Sequence, residues 1–162
     1  YSSDFTPIVK MVSWGILGMV FKAVSFSMGY IIIAKGDSKL FIKTAIAFNS
    51  ILLISNVIGY YYGGLEGLGI SFFLYYIVHF VSLRIITHYR YGFYFEKGFY
   101  GVFACCVALC VAAFMLTFID DDLLKYGILL GVTVLSFVFS YFQLDKKMDV
   151  KELINKIFRR KK

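Results

Sequence analysis

Long apolar runs separated by short polar clusters set the pattern of this chain. Polar residues gather at 35–39, in a glycine-rich stretch at 63–69, at 84–98 and at 120–122. Between them lie five runs of helical length, at about 11–34, 44–62, 67–83, 99–119 and 123–142. The first holds 24 residues, about 36 Å of helix, enough to cross a hydrocarbon layer of about 30 Å. The pattern predicts an all-α membrane protein with five transmembrane helices.

Within the first run the only charge is Lys22, near the middle. A lysine stem reaches about 6 Å, too short to lift the ammonium from that depth to the interface. An intramembrane cation costs about 2.5–3.5 kcal/mol on insertion scales, so it should face protein, water or an anion. Gly18, Lys22, Ser25 and Gly29 recur at steps of four, three and four, which places them on one small, polar helix face. Two arrangements fit that face: a cavity wall bearing a positive charge, or a tight helix seam in which Lys22 pairs with a carboxylate.

The third run repeats the theme. Ser71, Tyr75, His79 and Ser82 share a face that suits hydrogen bonds to a polar ligand, proton transfer, or bonding between helices. Asn49 and Asn56, seven apart in the second run, share a face and suit interhelical hydrogen bonding. Lys22, Ser25, Tyr75, His79, Asn49 and Asn56 are therefore the candidate binding residues. Gly127 and Gly131 suggest a close helix contact in the fifth run. The aspartates at 120–122 suit the cap of the helix that follows. Cys105, Cys106 and Cys110 sit inside one apolar run, without the spacing of a metal site, and read as packing residues. No H-E-x-x-H, nucleophile elbow, phosphate loop or carboxylate pair within a run points to catalysis, a metal or another cofactor.

Composition and charge sharpen the picture. The chain is 60% hydrophobic and 20% aromatic, well above the apolar share of a soluble domain. Its net charge of +7 does not indicate nucleic acid, because the basic residues lie at run ends and in the last 20 positions. The segments at 35–43, 84–97 and 146–162 carry 14 of the 17 Lys and Arg, and alternating topology puts all three on one side. The positive-inside rule makes that side cytoplasmic, with the C-terminus inside. Tyrosines at 60–62 and 126 would mark the outer interface, and Tyr89, Tyr91 and Tyr141 the inner one. The chain divides into a helical bundle over 1–143 and a basic tail over 144–162. In the tail, Val150, Leu153, Ile154, Ile157 and Phe158 form an apolar face suited to an anionic membrane surface; a disordered charged end is the alternative. The absence of a signal-peptide pattern at the start, and an odd span count beginning outside, lead us to expect a longer polytopic protein.

Several stretches carry a family resemblance: YSSDFTPIV, SWGILGMVFKAVSFSMGYI, AKGDSKLF, GYYYGGLEGLGISFFLYYI and RYGFYFEKGF, spread over about the first 100 residues. Together they resemble the C-terminal part of bacterial polysaccharide and O-antigen flippases, of the multidrug/oligosaccharidyl-lipid/polysaccharide flippase superfamily. The last two runs and the tail match in layout only. The resemblance implies a transporter of 12–14 helices in two lobes, of which this chain supplies the last five helices. The implied cargo is an undecaprenyl-diphosphate-linked oligosaccharide, moved across the bacterial cytoplasmic (inner) membrane by alternating access. Lys22 would then face the diphosphate or acidic sugars. The implied partners are the lipid bilayer, the first lobe of the same chain and polysaccharide polymerase machinery. Two alternatives stand beside this one. A multidrug cation antiporter of the same superfamily would want acidic residues inside the spans, and there are none. A membrane enzyme or assembly partner without transport activity would need catalytic groups in a sizeable loop, and the expected external turns are short.

Overall fold

A computed structural model describes residues 6–119 and 121–147 of the chain. The described residues form four helices: α1 (Thr6–Ala34), α2 (Ser38–Tyr91), α3 (Lys97–Leu116) and α4 (Asp122–Lys147). The protein is all-helical, with no strand among the described residues. All four helices are long and apolar enough to cross a membrane, the mark of a multi-pass membrane protein. Their outward faces agree. Ile46, Leu53 and Val57 on α2 are each more than 60% exposed, an apolar surface that water would disfavour and lipid would not.

The expected count of five helices is not matched, and the difference lies in α2. The second and third expected spans both belong to α2, a helical stretch of 54 residues. A straight helix of that length would run about 80 Å, far beyond one bilayer. It does not run straight, because Gly64 has φ 56° and ψ −140° in its middle. That backbone region is closed to residues with a Cβ, so the reversal needs glycine there. The two limbs then lie side by side. Ser71 Oγ is 3.1 Å from Asn56 Oδ1, and Phe48 meets His79 edge to face at 4.5 Å. Below the fold-back the limbs nearly touch. A Cβ placed on Gly59 would lie 2.6 Å from the Gly67 carbonyl oxygen, and one on Gly67 would collide with the Gly59 carbonyl. The glycine-rich stretch at 63–69, expected as a loop, is thus helical on both sides of a single turning residue.

α1 runs parallel to the second limb. Gly18 packs on Phe72 and Phe73, and a Cβ on Gly69 would lie 2.7 Å from the Met11 carbonyl oxygen. Farther along, Met28, Ile32 and Leu83 form the fully buried centre of the contact, with Phe48, Phe80 and Tyr91 packed around it. An ion pair pins each end. Lys10 Nζ is 3.2 Å from Glu66 Oε2 near the fold-back. At the opposite end Arg90 Nη2 is 2.9 Å from Asp37 Oδ2.

Asp37 explains a second departure. Residues 84–98, expected as a polar loop, continue the helix as far as Tyr91, and only 92–96 are non-helical. α2 also starts at Ser38, six residues before the expected span. Asp37 Oδ1 accepts the Leu40 N–H at 3.2 Å and caps the start. Its Oδ2 accepts from Arg90 Nε at 3.0 Å and from the Tyr91 hydroxyl at 3.2 Å. One carboxylate therefore binds both ends of α2, where the sequence led us to expect polar loops.

The chain divides into two compact units, 1–97 and 98–162. In the second, α3 ends in a turn where the Thr117 hydroxyl donates to the Phe114 carbonyl at 2.6 Å. Asp121 Oδ1 then accepts the N–H groups of Leu123 and Leu124 at 3.0 and 3.3 Å, the capping role expected of this turn. Asp120 lies outside the described residues. The close contact expected at Gly127 and Gly131 is not found: a Cβ on either would meet nothing within 4 Å among the described residues. The three cysteines are half-buried and unpaired. α4 continues to Lys147, and the expected amphipathic helix at 150–158 lies outside the described residues.

Candidate functional site

A half-open cavity of about 460 Å³ lies between α1 and the two limbs of α2 in the first unit, reaching from Lys22 at mid-helix to Ile33 and Phe41 near the Asp37 end. Each element contributes through its own periodicity. α1 supplies Lys22, Ser25 and Gly29, three of the four residues of the small polar face. Gly18, the fourth, lies in the helix seam instead. The first limb supplies Phe48 and Asn49, one turn beyond Thr44 and Ala45. The second limb supplies Tyr75, Tyr76 and His79.

Lys22 dominates the electrostatics. Its Nζ lies 5.4 Å from the centre of the Tyr76 ring and 5.8 Å from that of Phe72. Those two rings stand one turn apart on the second limb and meet edge to face at 4.6 Å. The ring faces attract the ammonium through their quadrupoles but leave its charge uncancelled. Among the described residues no carboxylate pairs with Lys22, and none of the residues lining the cavity is acidic. The seam alternative required such a pair.

The polar groups around Lys22 differ in what they can offer. Ser25 is fully buried, and its hydroxyl donates to the Phe21 carbonyl at 2.8 Å, which leaves only its lone pairs. Tyr75 is buried and stacks on His79, with ring centres 5.5 Å apart and planes 19° apart. His79 Nδ1 is buried with no hydrogen-bond partner among the described residues. Whichever form the ring takes, that nitrogen is an unused polar group at the cavity. Asn49 is exposed and has no partner among the described side chains, so both halves of its amide remain available.

The structure thus brings five of the six candidates together: Lys22, Ser25, Asn49, Tyr75 and His79. Asn56 lies apart, in contact with Ser71. That pair joins the limbs below the fold-back, the interhelical bond that the sequence suggested for asparagine. The residues that sequence reasoning missed are Phe72, Tyr76 and Phe48. Phe72 and Tyr76 had a legible signal in their spacing of four, which places two rings on one face of the limb. Nothing in the sequence aimed that face at Lys22.

The cavity offers one basic side chain, an amide, an imidazole and aromatic walls, and the described residues hold no cluster of metal-ligating side chains. No protein-family model matches the chain, and no curated protein or solved structure matches it either.

Proposed function

We propose that this chain is part of a flippase that moves a polyprenyl-diphosphate-linked oligosaccharide across a bacterial cytoplasmic membrane. One observation carries the reading: Lys22, in the middle of α1, lines a cavity and has no carboxylate partner among the described residues. A diphosphate that entered bare hydrocarbon would meet a prohibitive desolvation barrier. A fixed ammonium beside the amide of Asn49 and the imidazole of His79 lowers that barrier for the headgroup and first sugars. The polyprenyl chain stays in lipid. The cargo crosses by alternating exposure of the cavity, with no covalent step.

In this reading the two limbs of α2 are separate crossings, so the chain traverses the membrane five times and supplies part of a two-lobe transporter. Lys35, Lys39, Lys43, Arg84, Arg90 and Lys97 all fall at the Asp37 end of the first unit, which supports a cytoplasmic placement for that end. The C-terminus then lies in the cytoplasm as well.

The test is flipping of a fluorescent polyprenyl-diphosphate oligosaccharide by the full-length protein in proteoliposomes. Lys22→Gln keeps length and polarity and removes the charge. It should lower the flipping rate at least tenfold while the yield of folded protein stays the same. An unchanged rate would remove Lys22 from the site and this reading with it.

A further inference from the structure

We propose that a second site, at the Asp37 end of the first unit, holds the headgroup of an anionic phospholipid. The turn after α1 and the last turns of α2 form an open cleft of about 840 Å³ there. It is separate from the Lys22 cavity and stands whether or not that cavity carries cargo.

Asp37 sets the charge balance of the cleft. Its carboxylate would repel an anion, but its capacity is already used. Oδ2 accepts from Arg90 Nε, Arg90 Nη2 and the Tyr91 hydroxyl, and Oδ1 accepts the Leu40 N–H. Arg90 matches its charge. The Arg90 side chain is still 60% exposed, so N–H groups not used on Asp37 remain for another acceptor. Lys35 also lines the cleft, is exposed, and has no carboxylate partner among the described residues. The cleft therefore carries a net positive charge, with its one acid neutralised from within.

The remaining walls select the kind of anion. Leu40, Ile85 and Ile86 line the cleft, and Ile85 is half exposed. Tyr89, also in the lining, is 84% exposed, as befits a ring at the level of lipid headgroups. A phosphate lying between Lys35 and the outer edge of Arg90 would receive charge-assisted hydrogen bonds from both. An acyl chain descending from it would cover Ile85. Free phosphate satisfies the cations but leaves the apolar wall bare, so the two sources of the same chemistry can be separated.

The experiment places the full-length protein in phosphatidylcholine nanodiscs doped with a photoactivatable phosphatidylglycerol. Cross-links are mapped by mass spectrometry to peptides covering 35–43 and 85–91. Labelling of these peptides should exceed that by the matching phosphatidylcholine probe. Lys35→Gln should lower it about fivefold, the equivalent of about 1 kcal/mol per basic residue at an anionic lipid surface. Lys35→Arg should restore it, and millimolar inorganic phosphate should leave it unchanged. Equal labelling by the two probes, or no effect of Lys35→Gln, would overturn the site. An equal loss in Lys39→Gln, which changes a neighbouring exposed lysine outside the cleft, would reduce the effect to diffuse surface charge and overturn it too. Competition by inorganic phosphate would overturn the lipid assignment.

Discussion

Replacing Lys22 with methionine should make the protein more stable and abolish its transport. The ammonium sits at a depth where a cation costs about 2.5–3.5 kcal/mol relative to an apolar side chain. The rings of Tyr76 and Phe72 offset part of this cost. At 5.4 and 5.8 Å both lie near the outer limit of a cation–π contact, so their joint return is about 1–2 kcal/mol. The difference leaves about 0.5–2.5 kcal/mol of the cost without offset. Methionine has nearly the length of lysine, and its sulfur can rest against the same two rings with a gain of about 0.3–1.5 kcal/mol. Lys22→Met should therefore raise the unfolding midpoint of the purified full-length protein in micelles by a few degrees. The same preparation should show no flipping in proteoliposomes. A lowered midpoint would refute the reasoning, because it would mean that the ammonium is held by an anionic partner whose loss the fold feels.

Two further predictions test the frame around the cavity. Gly59→Ala should destabilise the protein by about 1–3 kcal/mol, since the new Cβ would lie 2.6 Å from the Gly67 carbonyl oxygen and from Ser71. Gly15→Ala, where a Cβ meets nothing within 4 Å, should be neutral or stabilising by up to about 1 kcal/mol through helix propensity; equal midpoints for the two variants would contradict the close limb contact. The hydrogen bond from Arg90 holds the Asp37 carboxyl below the usual carboxylate range. Its contribution is therefore present above the unfolded-state value of about 3.9 and is lost as pH falls through the lower folded-state value. Unfolding midpoints recorded from neutral pH down to about 3 should fall less steeply for Asp37→Asn than for the parent; parallel curves would show that the carboxylate does not link the two ends of α2.

Much of this arrangement was readable in the chain, and the gaps have physical causes. The face bearing Lys22, Ser25 and Gly29 follows from helical spacing alone, and the structure gives all three one cavity. The glycine-rich stretch signalled a reversal, but not that one residue, Gly64, would suffice for it. Hydropathy also misplaced the ends of α2, because it senses where lipid stops and not where a helix stops. Leu83, Thr87 and Tyr91 stand at steps of four: Leu83 and Thr87 are buried and Tyr91 packs against the buried cluster. That helical spacing was hidden by Arg84, His88 and Arg90 between them. The partners of Lys22 were the hardest to foresee. A lysine in a span suggests a carboxylate, and the electrostatics of aromatic faces has no signature in charge or hydropathy. Asn56 shows the opposite limit: its face was assigned correctly, yet a seven-residue spacing cannot tell which of two asparagines meets a cavity and which meets a serine.

The two ion pairs at opposite ends of the α1–α2 contact have a consequence for register. Each carboxylate meets its cation only in the present alignment of α1 with the second limb of α2, so a slip of one helical turn, about 5.4 Å, would part both pairs at once. The pairs thus favour the one alignment that sets Lys22 level with the ring of Tyr76.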